Sequence, residues 1–148
     1  MAAYTAAHDS RIAGVGLISA ADMAGRAQVP AGASPEMQKR ALAGVAAHLA
    51  AEGLAPLAGC TPESLAAELL AHPEWSLSAF APRLTTVPTL VVTSDDGGAP
   101  SSEALVQAIR NARGEHVQAV HIATDHSYSG ARIQLTQVVL EGLDSLGR

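Results

Sequence analysis

The chain of 148 residues predicts an α/β protein in three layers, with a parallel sheet of about three strands and a helical, cap-like insertion. Three observations carry this reading. Apolar runs of strand length stand at 11–18, 89–93 and 116–122. The last two are each followed by a helix-like segment, and strand–helix–strand–helix order requires crossovers, hence parallel strands with helices on the sheet faces. Between the first and second runs, residues 22–83 hold two helix-start signals and no strand-like run.

Residues 1–7 are Ala-rich and read as helix, but no Ser, Thr, Asp or Asn precedes them as a cap and their first turn carries no acid. They read as the end of a helix rather than the whole of one. Residues 11–18 are apolar on both faces, as in a buried parallel strand, with Gly14 and Gly16 allowing a helix to pack closely. Ser34-Pro35-Glu36 combines a cap, a first-turn proline and an acid, opening a helix that runs to about Glu52 before Gly53. Thr61-Pro62-Glu63 repeats the signal for a helix ending before His72-Pro73. A short turn or helix spans 75–80, with Trp75 and Phe80 as anchors of the insertion.

Thr89 to Thr93 is β-branched, follows Pro88 and precedes a Gly-rich turn, so it is a second buried strand. Ser101 or Ser102 is placed to cap a helix running to about Ala112. Residues 116–122 form the third strand. Residues 132–146 form a closing amphipathic helix with apolar Ile133, Leu135, Val138, Val139, Leu143 and Leu146.

The length suits one domain with a core of its own. Hydrophobic residues at 48% against 16% charged exclude a disordered or acidic-tail protein. Tyr4, Trp75, Phe80 and Tyr128 are the whole Phe/Trp/Tyr complement, so the core is aliphatic and bases find no stacking platform. A net charge of −5 also lacks the basic footprint of phosphate binding, so nucleic acid is not an expected partner. The single cysteine, Cys60, allows neither an intramolecular disulfide nor a Cys-based zinc site, and reads as a small loop or buried thiol. No membrane span is expected, because the longest apolar run, 41–60, is broken by His48, Glu52 and Pro56. Residues 11–20 imitate a signal peptide, but Asp9 precedes a run short for that purpose, and a strand accounts for it better.

In open parallel sheets chemistry gathers beyond the carboxyl ends of the strands, here Ser19 to Met23, Ser94 to Pro100 and Thr124 to Gly130. The second strand runs out into Ser94-Asp95-Asp96-Gly97-Gly98-Ala99-Pro100 and the third into Thr124-Asp125-His126-Ser127-Tyr128-Ser129. A carboxylate after one strand and an imidazole after the next converge at one sheet edge. There the acid accepts the Nδ1 proton of the histidine, fixes its tautomer and stabilises the imidazolium. Both Asp95 and Asp96 qualify as the acid, and Asp-Gly is also an ordinary turn pair. His116 and His121 face opposite sides of a strand, while His121, Asp125 and His126 match no metal-ligand spacing, so no metal is expected. Gly97-Gly98 belongs to no phosphate-loop motif, and no cofactor is implied. His8, His48 and His72 read as surface or helix-end residues, and Arg132 as a helix N-terminal residue pairing locally.

These segments resemble the α/β-hydrolase family, in particular its prolyl-oligopeptidase-like and dienelactone-hydrolase-like branches. Val87-Pro88-Thr89-Leu90-Val91 looks like the strand leading to the family's acid turn, and Asp96-Gly97-Gly98-Ala99-Pro100 like that turn. Thr124-Asp125-His126-Ser127-Tyr128 is similar to the segment carrying the triad histidine. Residues 4–12 and Ile18-Ser19-Ala20 look like the helix end and strand behind the nucleophile. The resemblance implies Asp96 as acid, with Asp95 as runner-up, and His126 as base. It also implies residues 22–83 as the cap region, residues 84–148 as strand, acid turn, helix, strand, histidine loop and helix, and a serine hydrolase acting on an ester, amide or peptide.

The nucleophile elbow G-x-S-x-G occurs nowhere in the sequence. Without an activated nucleophile Asp96 and His126 cannot perform a covalent step. Two expectations follow: the chain is the C-terminal half of a longer hydrolase, with small-molecule or peptide substrate bound by that parent, or it is a short non-catalytic module binding a small molecule or partner. Three strands alone expose an apolar edge at 12–18, which predicts a poorly folded or self-associating chain. The compartment is cytoplasmic if Met1 is the start, and open to secretion if a leader lies upstream.

Overall fold

The computed structural model describes residues 1–52 and 59–146. Its elements are α1 (Ala2–His8), β1 (Val15–Ile18), α2 (Met23–Ala27), α3 (Pro35–Ala51), α4 (Pro62–Ala71), α5 (Ala81–Leu84), β2 (Thr89–Thr93), α6 (Ala99–Asn111), β3 (Val117–His121) and α7 (Arg132–Leu146), with short 3-10 turns at Pro73–Trp75 and Leu77–Phe80. Gly53, Pro56 and Arg148, and the side chain of Leu146, lie outside the described residues. The chain divides into two compact units, Met1–Asp22 with Leu77–Arg148, and Met23–Ser76.

The first unit is a three-stranded parallel sheet in the order β1-β2-β3, with helices on both faces. Alternation along the strands sends Leu17 and Val91 to one face, where they meet Ala3 and Ala6 of α1, Leu84 of α5, and Leu105 and Ile109 of α6. Leu90, Val92 and Val120 face the other way, onto Leu135 and Val138 of α7 with Ile122 and Tyr128. Val91, Val92, Leu105 and Ile109 are almost wholly enclosed, each contributing about 1.5–3 kcal/mol of burial. β2 is central, so both of its edges are paired, and helices cover both of its faces. Its bounds match the sequence expectation, as do those of α7.

The edge strands differ from expectation. β1 begins at Val15 rather than 11, and only Leu17 is buried; Ile18 is 41% exposed, because one face and the outer edge lack a neighbour among the described residues. β3 is trimmed to Val117–His121 and is half-covered at most. On α7, Val138 is buried, but Ile133 and Leu143 are exposed, so the inward stripe is narrower than the apolar spacing implied. α6 has no serine cap at 101 or 102. It starts at Ala99 after Gly98, whose N–H is taken by the Asp96 carboxylate, and Ser102 is buried within it.

The second unit is helical. As read from the sequence, Ser34 Oγ accepts the Met37 N–H (3.3 Å) to start α3. Thr61 and Ser64 form a reciprocal capping box at α4, with bonds of 2.9 and 3.1 Å. Ala46, Leu49 and Ala66 form its core with Leu42, Val45, Leu65 and Leu69. The unit ends at Ser76, seven positions short of the insertion boundary expected at 83, because Leu77, Phe80, Ala81 and Leu84 pack into the sheet core. Phe80 is thus a sheet-unit residue, while Trp75 is partly exposed and stacks on His72 at 4.1 Å. No helix among the described residues is long and apolar enough to cross a membrane.

Two predictions follow from packing. A Cβ on Gly114, between α6 and β3, meets Ile109 Cγ2 at 2.5 Å and the Thr85 backbone at 3.0 Å. Gly114→Ala is expected to cost about 1–3 kcal/mol in urea unfolding, and an unchanged midpoint would show that the turn yields. β1 forms one edge of the sheet, where Gly16 and Ile18 border an apolar groove of about 340 Å³ that runs across the sheet face to Leu90, Val139 and Leu143. If that edge pairs chains, Ile18→Lys should convert an associated parent into a monomer of 15.0 kDa in light scattering. A parent already monomeric, with a sharp cooperative melt, sinks the idea.

Candidate functional site

The three strands end beside one another, and their exits carry the polar groups. β2 leads into Ser94-Asp95-Asp96-Gly97. Gly97 has φ +81°, the left-handed conformation a residue without Cβ adopts freely, and it turns the chain back toward α6. One Asp96 oxygen, Oδ1, accepts the Gly98 N–H at 2.8 Å. A Cβ at Gly98 would stand 3.1 Å from that oxygen, so the second glycine gives the carboxylate room. The other oxygen, Oδ2, lies 2.7 Å from His126 Nδ1.

Asp96 is mostly covered, with 11% side-chain exposure against 70% for His126. The His126 hydrogen bond holds the Asp96 carboxyl well below the usual carboxylate range, aided by the Gly98 N–H and, more weakly, by the Ser19 and Ser94 hydroxyls; desolvation opposes them. An ionised carboxylate only accepts, so His126 Nδ1 carries the proton and neutral His126 keeps its lone pair at Nε2. Nothing among the described residues bonds that Nε2.

Asp95 goes elsewhere. Its Oδ1 lies 3.2 Å from His121 Nε2, and His121 Nδ1 is 3.0 Å from Thr93 Oγ1. Both ring nitrogens of His121 are occupied, so this second pair leaves no nitrogen free to act as a base. The runner-up acid is thereby separated from His126: consecutive carboxylates serve different histidines. Among the described residues no three His, Cys, Asp or Glu side chains gather as a metal site would require. His121 turns to Asp95, His126 to Asp96, and Asp125 to its own loop.

That loop is braced from within. Asp125 Oδ1 accepts the Ser129 N–H at 2.9 Å and the Asp125 carbonyl accepts the Tyr128 N–H at 3.0 Å. Principally through the Ser129 N–H, the Asp125 carboxyl is also held below its ordinary range. The braced turn places Tyr128 at φ 53°, left-handed and 3% exposed. Its hydroxyl meets Ser19 Oγ at 2.9 Å, and Ser19 Oγ meets Ser94 Oγ at 2.9 Å. Ser19 is itself left-handed, at φ 41°. Non-glycine residues held in this region cost on the order of 1–3 kcal/mol each and persist where the surroundings over-determine them. The segments containing Ser19, Ser94 and Tyr128 are legible in the sequence as strand ends, whereas their mutual bonds are not. The signal was a hydroxyl after each strand end.

No protein-family model, curated protein or solved structure matches this chain. The α/β architecture and the strand-end groups are therefore the basis for a functional reading.

The depressed Asp96 carboxyl sets a pH dependence. Its folded value lies below the unfolded value of about 3.9, so its stabilisation is complete above that value and disappears as pH falls through the folded one. Asp96→Asn should therefore unfold at lower urea than the parent near neutral pH and show a flatter stability curve through the acidic range. Parallel curves for the two proteins would exclude Asp96 as a stabilised carboxylate.

Proposed function

We propose that this chain carries the acid and base of an α/β-hydrolase-type serine hydrolase acting on an ester, amide or peptide bond. The observation that supports it best is the 2.7 Å bond from His126 Nδ1 to Asp96 at adjacent ends of parallel strands, with no partner at Nε2 among the described residues. In this reading His126 Nε2 takes the proton of an attacking serine hydroxyl as the oxygen–carbonyl bond forms, and returns it to the leaving group as the tetrahedral intermediate collapses. Water then attacks the acyl-enzyme by the same route, restoring the serine. Asp96 stays ionised throughout and stabilises the imidazolium between the two transfers.

The serine would come from a G-x-S-x-G elbow outside these 148 residues, since the sequence holds none. The 148-residue chain should resist a fluorophosphonate probe, whereas a form extended to include such an elbow should be labelled. In that extended form His126→Ala and Asp96→Asn should lower labelling by about 10⁴-fold or more, while Asp95→Asn leaves it near the parent level. Labelling of a serine within the short chain would refute the assignment of an external nucleophile. DNA upstream of the Met1 codon that encodes an elbow, in frame or shifted, supports this reading. Upstream DNA without one favours the non-catalytic binding module.

A further inference from the structure

The exits of all three strands meet in a group of hydroxyls that the acid–base chemistry does not itself use. Ser19, from one edge strand, reaches Tyr128, from the loop after the other edge strand, across the end of central β2 where Ser94 stands. The Tyr128 hydroxyl also approaches the Val92 carbonyl at 3.5 Å. Ser94 is 1% exposed, and a hydroxyl so enclosed is costly unless bonded, so packing alone would favour an alanine there. Of the three non-glycine residues with positive φ among those described, two are Ser19 and Tyr128.

Ser94 stands between the end of β2 and the turn that carries Asp96, and its hydroxyl and that of Ser19 help to hold the Asp96 carboxyl low, while Thr93 and Asp95 both meet His121. Tyr128 is two residues beyond His126 in the same braced loop. The hydroxyls thus join the segment bearing the acid to the segment bearing the base. We infer that Ser19, Ser94 and Tyr128 are positioning residues that hold the Asp96 carboxylate against His126 Nδ1, acting on the chemistry only through Asp96. This rests on Asp96–His126 being the acid–base pair proposed above. Among the described residues the other ionisable groups at these strand ends include the buried Asp22, the Asp95–His121 pair and Asp125, which feels Arg132.

Two variants separate positioning from simple support. Ser19→Gly removes the hydroxyl and relieves φ 41°, which offsets part of the cost of leaving the enclosed Ser94 hydroxyl without that partner, so its melting temperature should stay near the parent's or fall modestly. Tyr128→Phe removes one hydroxyl and keeps the ring. In the isotopically labelled 148-residue chain, the Asp96 carboxyl carbon should titrate about half a pH unit higher in either variant. The His126 Nδ1–H resonance should also broaden through faster exchange with water. Titration and resonance unchanged in both variants overturn the inference, whatever happens to stability; should Ser19→Gly fail to fold, Tyr128→Phe decides alone. A parent without an Asp96-bonded Nδ1–H resonance would defeat the proposed acid–base pair itself. Shifted variants in a protein whose extended form resists the fluorophosphonate probe would leave the positioning role standing and reject the hydrolase.

Discussion

Where β2 ends and the chain enters the turn at 95–98, four consecutive residues divide between two histidines. Thr93 and Asp95 meet His121; Ser94 and Asp96 turn toward Ser19, Tyr128 and His126. A one-residue slip of β2 would displace the turn that carries both carboxylates relative to the two imidazoles. The register is held by burial: Leu90 and Val92 belong to one core and Val91 to the other, so a slip would also exchange the contents of both cores. The hydrophobic pattern of five residues thereby fixes where the turn bearing both acids begins.

What was legible in the sequence follows from how local each signal is. The caps at Ser34 and Thr61, the proline before β2 and the glycines after it act within a few residues, and the elements they bound lie close to expectation. The extent of β1 depends on having a neighbour on only one side, a property of topology that no run of apolar residues declares. The start of α6 depended on Asp96 claiming the Gly98 N–H, which competed with an otherwise reasonable serine cap. Phe80 neighbours the insertion in sequence, yet its ring is buried with Leu84 and Leu105 in the sheet unit.

The candidate site was legible as a set of segments rather than as contacts. Strand-end logic placed Asp95, Asp96 and His126 at one edge, but the choice between two adjacent acids required side-chain directions. The hydroxyl cluster was less visible still. It depends on left-handed backbone at Ser19 and Tyr128, a conformation that serine and tyrosine do not advertise as glycine or asparagine would.

Asp96 and His126 ride on strands of unequal protection. β2 is enclosed by neighbours on both sides, whereas β3 is an edge strand with much of its length open to solvent. Sub-global openings begin where buried contacts are few, so peeling of β3 and its following loop separates the imidazole from its acid long before β2 is released. Amide hydrogens of Val91 and Val92 would report the global stability of the sheet unit, and those of Val120 and Ile122, which point toward β2, the lifetime of the closed pair. The integrity of the site is then governed by the fraying of its weakest strand, and any contact that pins β3 also extends the time the pair spends assembled.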